Sequence, residues 1–237
     1  MKQRGFTLTE ILIGLALTLF MFVAAFEFLG ITKDLFAKLK DAEEDSQAAA
    51  AALEKLRIDL SQAGRGLAGP MRRASIAGLE VAGQTLILSL AKQAYPLASD
   101  VLAGQTLVPL VSVSGLASQR EVCLVEGGWS EIHTVAACGS GAVDLGEPLQ
   151  ASFSKTGGRL LLIEKTSYFL DTSSGILRRR VNGGSAQPLL EGVEACDLSY
   201  DAAVNLATAS FSLRTNKERK YEISVFPKNI GLTLSAY

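Results

Sequence analysis

A break in the chain between Gly5 and Phe6 would leave a free amine on Phe6, one helical turn ahead of the Glu10 carboxyl. Residues 6–30 around that acid are almost all apolar, interrupted only by Thr7, Thr9, Thr18, Glu10 and Glu27. At about 1.5 Å per residue, such a stretch is long enough to cross a hydrocarbon core of ~30 Å. A carboxylate inside a membrane helix costs about 2.5–3.5 kcal/mol on insertion scales, and such residues are functional by default. The best partner for Glu10 is a cation that exists only in an assembly: the Phe6 amine of a staggered neighbouring chain. A buried ion pair adds little net stability, but a missing partner is costly, so the pair would act as a register device.

The other residues able to do chemistry are sparse. His133, the single histidine, lies in an alternating segment beside Glu131 and Thr134 and reads as a surface histidine on a strand rather than a catalytic base. Cys123, Cys138 and Cys196 form no C-x-x-C pair and have no zinc spacing with His133. In an exported domain they read as one disulfide plus one free thiol. Cys123 and Cys138, which flank Gly127-Gly128-Trp129, are the first pairing to expect, with the other pairings open. Trp129 falls in a turn, as an interface anchor or as cover for a hairpin. Arg178-Arg179-Arg180 alternates across a strand, either complementing an acidic partner surface or guarding a solvated edge. No G-x-S-x-G, P-loop or H-E-x-x-H occurs, so the expectation is a protein that is not an enzyme and carries no cofactor or metal. A net charge of -1 with pI ≈ 6.0 gives no reason to expect nucleic acid.

The basic start, Lys2 and Arg4, favours a cytoplasmic N-terminus with the rest of the chain outside. A secretory signal would carry a small-residue cleavage site after its apolar core. Here the apolar run passes directly into a polar helix, so any cut must precede it. On these residues, Gly5-Phe6-Thr7-Leu8-Thr9-Glu10 resembles the class III signal of type IV prepilins and type II secretion pseudopilins. The resemblance implies cleavage after Gly5 by prepilin peptidase, N-methylation of Phe6, and an assembly role for Glu10.

The elements that must carry these residues follow from periodicity. Leu35, Leu39, Ala42, Ser46, Ala49, Leu53, Leu56 and Leu60 recur at steps of four and three, an apolar stripe on a helix. No proline interrupts residues 6–63, so one helix of about 85 Å is expected, weakest at Gly30 and stopped by Gly64, Gly66 and Pro70. From residue 75 the pattern turns to short β runs, beginning with a hairpin of 79–82 and 85–90 about Gly83-Gln84. Further strands are expected at 106–113, 121–125, 132–136, 159–164, 167–170, 176–181, 196–200, 207–213 and 221–226. The predicted class is α+β: a long N-terminal transmembrane and amphipathic helix packed on a C-terminal antiparallel β domain in two sheets. The divisions are 1–5 (leader), 6–30 (transmembrane half), 31–64 (amphipathic periplasmic half) and 65–237 (periplasmic β domain).

A second resemblance rests on Leu56-Arg57-Ile58-Asp59-Leu60-Ser61-Gln62-Ala63-Gly64, on Tyr168-Phe169-Leu170-Asp171 through Leu177-Arg178-Arg179, and on Pro188-Leu189-Leu190-Glu191-Gly192-Val193-Glu194. These stretches look like large minor pilins of the PilW type and, as close relatives, GspJ-type pseudopilins; residues 85–154 carry no resemblance. What this implies is a type IV pilus subunit that primes assembly at or near the tip, with a type II secretion pseudopilin as the alternative. A signal-anchored periplasmic enzyme or binding protein is the alternative from another class. The implied partners are prepilin peptidase, other minor and major pilins, the inner-membrane assembly platform protein, a tip adhesin and membrane lipid. The implied location is the bacterial inner membrane, with the C-terminal domain in the periplasm, and then the pilus tip.

Overall fold

The computed structural model of the chain describes residues 8–73 and 75–234. Its contacts divide it into two units, Met1–Gln47 and Ala48–Tyr237, with the boundary inside the first helix.

Helix α1 runs unbroken over Leu8–Gln62, through Gly30, as the absence of proline requires. Burial along the stripe begins only at Ala49: Ala49, Ala52, Leu56 and Leu60 are buried, whereas Leu35, Leu39 and Ala42 stay exposed. The helix ends where expected. Gly64 takes a left-handed backbone (φ +75°) that disfavours side chains, and its N–H donates to the Ser89 carbonyl at 2.8 Å. The side chain of Asn229 then caps two terminal carbonyls, those of Ser61 (3.3 Å) and Ala63 (3.2 Å). Pro70 sits in the first turn of a second short helix, α2 (Ala68–Arg72), where its missing N–H is no loss.

Thirteen strands follow among the described residues: β1 (Leu79–Ala82), β2 (Thr85–Pro96), β3 (Leu107–Pro109), β4 (Glu121–Glu126), β5 (Trp129–Thr134), β6 (Ala137–Cys138), β7 (Ala142–Asp144), β8 (Arg159–Asp171), β9 (Ile176–Val181), β10 (Gln187–Leu190), β11 (Val193–Asp201), β12 (Leu206–Leu213) and β13 (Asn216–Val225). A last helix, α3, covers Lys228–Leu234. The β1–β2 hairpin closes at Ala82 opposite Thr85, with Gly83 at φ +62° in its two-residue turn.

All pairings among the described residues are antiparallel, but they make three sheets instead of two. The largest orders β1-β2-β8-β4-β5, with β9 and β10 added along the far half of β8. The other two are β11-β12-β13 and β3-β7-β6. The long strand β8 explains the larger sheet, and it corrects the expectation of separate strands at 159–164 and 167–170. One side pairs β2 over residues 159–169; the other pairs β4 over residues 159–162 and β9 from Thr166 onward. Its run Leu160-Leu161-Leu162-Ile163 is buried on both faces, Leu160 and Leu162 in one core and Leu161 and Ile163 in another.

A third core joins the end of α1 to β8 and to the β11-β12-β13 sheet, with Leu56, Leu60, Tyr168 and Phe211 all at most 2% exposed. Burying a leucine of this kind stabilises by about 1.5–3 kcal/mol, so Leu56 and Leu60 are what hold the helix to its domain. The observed class is therefore the expected one, a long helix packed against an antiparallel β domain.

Candidate functional site

Gly5 and Phe6, the expected cleavage and methylation residues, lie outside the described residues. Glu10 lies in the first turn of α1 and is exposed. Around it the helix surface is apolar on every side: Leu12, Phe20, Met21, Phe26 and Leu29 are all at least 60% exposed. Helices apolar all round are stable where lipid or other helices surround them. Two hydroxyls of the helix are satisfied internally: Thr18 donates to the Gly14 carbonyl at 2.7 Å and Thr32 to the Phe28 carbonyl at 2.8 Å. Among the described residues α1 is the one helix long and apolar enough to span a membrane.

At its other end α1 carries a polar cluster that pattern reading did not find. Asp59 accepts from the Tyr168 hydroxyl at 2.5 Å, from Arg179 Nε at 2.8 Å and from Lys55 Nζ at 2.9 Å. Tyr168 comes from β8 and Arg179 from β9, so helix and sheet are joined through one carboxylate. Burial raises the Asp59 carboxyl, but the donors Tyr168, Lys55 and Arg179 outweigh it and hold the group below its ordinary 3.8. Burial, then the Asp59 charge, push the Tyr168 phenol well above the ordinary range, so it stays a donor. The only signal in the sequence was an acid wedged between Leu56 and Leu60, where a charge needs a partner.

The three arginines divide their tasks. Arg178 pairs with Asp171 at 3.0 Å, Arg179 joins the Asp59 cluster, and Arg180 lies over the Phe169 ring at 5.1 Å. Their strand is not an edge where β10 covers it, since Arg178 and Arg179 lie opposite Pro188 and Gln187.

His133 is buried, not a surface residue as expected. Its Nε2 donates to Glu131 at 3.2 Å, while Nδ1 is buried with no partner among the described residues. Glu131 also accepts from the backbone of Gln150 (2.9 Å) and Ala151 (2.6 Å), pinning a loop to β5. Trp129 opens β5 instead of sitting in a turn; it is 67% exposed, with the Arg73 guanidinium 5.7 Å from its ring centroid.

The expected bridge between Cys123 and Cys138 is not formed, and all three cysteines are free. Strand alternation is the reason. Val122 and Leu124 face the core shared with Val143, the residue opposite Cys138, whereas Cys123 turns to the other face, among Leu67, Ile76 and Leu161. Burial pushes the Cys123 thiol up to about 12 and the Cys196 thiol up to about 11. Among the described residues no group of three or more His, Cys, Asp or Glu is placed to hold a metal ion.

The family model of the prokaryotic N-terminal methylation motif matches residues 1–26, which include Gly5, Phe6 and Glu10. No curated protein and no solved structure matches the chain. The chain thus carries a type IV pilin-like signal for prepilin peptidase, joined to a helix suited to membrane anchoring.

Proposed function

We propose that the chain is a minor pilin of the type IV pilus that acts by assembly and not by catalysis. Prepilin peptidase cuts after Gly5 and Phe6 is methylated. The helix then holds the subunit in the inner membrane, with its β domain in the periplasm, until extrusion. In the filament the apolar surface of α1 exchanges lipid for neighbouring helices, and the Phe6 amine meets Glu10 of an adjacent chain. There the subunit lies at or near the tip with other minor pilins, above the major pilins and below an adhesin, having been assembled by the platform protein.

The observation that carries this reading is the continuity of the methylation motif, residues 1–26, with a helix whose N-terminal part, as far as residue 31, is exposed and mostly apolar. The PilW-type assignment has a second support. Asp59, Tyr168 and Arg179 come from the separate stretches that resemble such subunits, and they meet in one hydrogen-bonded cluster.

The test is expression with and without a prepilin peptidase, followed by intact and N-terminal peptide masses. Loss of Met1–Gly5 with a methyl group on Phe6 is expected. An uncut chain, beside a control substrate that is cut, overturns the reading in favour of a signal-anchored periplasmic protein. Lost pili and twitching on deletion, as against lost exoprotein release, separates pilus from type II secretion.

A further inference from the structure

Sheet edges bare their backbone N–H and C=O groups, and proteins guard them with proline, lysine, bulges or brevity. Most edges among the described residues are guarded in this way. β13 carries Lys217, Arg219 and Lys220 and a break in register. β10 has Pro188 and another break, and β11 has a break between Val193 and Ala195. β3 is three residues long and ends on Pro109; β6 has two residues and β1 four.

β5 differs. It ends the largest sheet, pairs with β4 over six residues without a break, and contains no proline, lysine or arginine. Among the described residues no further backbone hydrogen bond reaches Ser130, Ile132 or Thr134. Contacts from the rest of the chain are made by side chains: the Ser130 hydroxyl meets that of Ser75 at 2.8 Å, and the Glu131 carboxylate holds Gln150 and Ala151. A cleft of about 370 Å³ lined by Glu121 of β4, Ile132 and Thr134 of β5, and residues 145–147 adjoins the strand.

The phase of the ladder is fixed. Val135 N–H donates to the Arg120 carbonyl at 2.9 Å, and a two-residue turn joins Glu126 to its opposite number Trp129. Trp129, Glu131 and His133 therefore exchange bonds with β4, while Ser130, Ile132 and Thr134 turn theirs outward.

We propose that β5 pairs antiparallel with β5 of a second copy of this chain, about a two-fold axis at Ile132. The three outward residues are self-complementary about that axis. Ile132 meets itself, Ser130 meets Thr134, and each pair exchanges two backbone hydrogen bonds. Between them Glu131 stands opposite His133, so no like charges face each other directly. The isologous contact closes, so it yields a dimer and not a fibre. It also covers Ile132, 36% exposed in the single chain. The inference is independent of the filament role proposed above.

The test uses the full chain in detergent with Cys123→Ala, Cys138→Ser and Cys196→Ser; Cys123 is removed because it lies directly opposite Ile132 on β4 and would otherwise form the disulfide within one chain. Ile132→Cys then places two thiols on carbons about 5.5 Å apart across the axis, within disulfide range. With diamide as the two-electron oxidant, cross-linked dimer should exceed that of a Lys217→Cys control on β13 about tenfold. In the cysteine-reduced background, Ile132→Lys sets two like charges on the axis and should convert the sedimenting dimer to monomer. Retention of the far-UV spectrum checks that both variants fold. Equal cross-linking at the two positions, a monomeric chain before substitution, or a dimer that survives Ile132→Lys overturns the proposal. An edge filled by a different protein gives the monomeric result and overturns it as well.

Discussion

The carboxylate of Asp59, two turns of the helix beyond Ala52 and its buried neighbours, accepts the Tyr168 hydroxyl at 2.5 Å across 109 residues of sequence. Arg179 reaches the same oxygen, so the C-terminal end of α1 is tied to β8 and β9 by a shared charge. Leu56 and Leu60 supply the affinity of helix for sheet, but apolar packing alone tolerates sliding by a turn. A directional charge cluster fixes which turn of α1 meets Tyr168.

Breaking that cluster from its two sides should therefore give unequal losses. Tyr168→Phe removes one hydrogen bond and leaves Asp59 with Lys55 and Arg179, for an expected loss of about 1–2 kcal/mol. Asp59→Ala strands the largely buried Arg179 cation and should cost about 3 kcal/mol. Urea unfolding of both variants and of the double variant measures the coupling. Additive losses would mean that the two groups do not interact.

The same carboxylate predicts acid sensitivity. Its folded value is depressed below the ordinary 3.8, so the unfolded chain binds its proton first as pH falls. The stabilisation is therefore complete above the unfolded value and is lost as pH drops through the folded one. Asp171, held low by Ser173, Ser174 and Arg178, adds to the acid response in the same direction. Comparison with Asp59→Asn isolates the Asp59 share: the gap in stability between the two proteins should narrow steadily below about pH 4. A gap independent of pH would mean that Asp59 is not charged in the fold.

How much of this was legible in the sequence depends on how far apart the interacting residues lie. Gly5, Phe6 and Glu10 fall within six residues of sequence, and their spacing pointed to the motif that matches residues 1–26. The β1–β2 hairpin was equally local, set by Gly83-Gln84. The Asp59 cluster was not legible, because its partners are 109 and 120 residues away. The sequence pattern predicts two strands, 159–164 and 167–170, on either side of Lys165-Thr166, yet pairing with β2 carries β8 through both. β6, β7 and β10 are two to four residues long and exist only because neighbouring strands offer them an edge. For the cysteines, closeness along the chain misled. Period-two alternation sends Cys123 and the core beneath Cys138 to opposite faces.

That geometry makes thiol reactivity a clean readout. Cys138 is exposed, Cys196 half-buried with its thiol pushed up to about 11, and Cys123 buried with its thiol pushed up to about 12. In the folded chain a maleimide should label Cys138 first, Cys196 slowly, and Cys123 only after unfolding. Peptide mapping over time gives the order, and reduction should leave the mass of the monomer unchanged. A Cys123–Cys138 peptide pair released by reduction would contradict the placement of Cys123.

Glu10 allows the sharpest separation of processing from assembly. It lies beyond the scissile bond, so Glu10→Gln should leave cleavage after Gly5 and membrane insertion intact. Neutral glutamine in the same apolar helix removes the insertion penalty of a carboxylate, and the variant should sit in the membrane at least as well. In a filament, however, the incoming Phe6 amine would face no opposite charge. An uncompensated buried cation costs about 3–5 kcal/mol, more than the tenfold that each 1.4 kcal/mol represents. Incorporation into sheared filaments should fall at least about tenfold, while the processed chain accumulates in the membrane fraction. Wild-type incorporation of Glu10→Gln would mean that register comes from elsewhere, with the apolar faces of α1 as the remaining source of alignment.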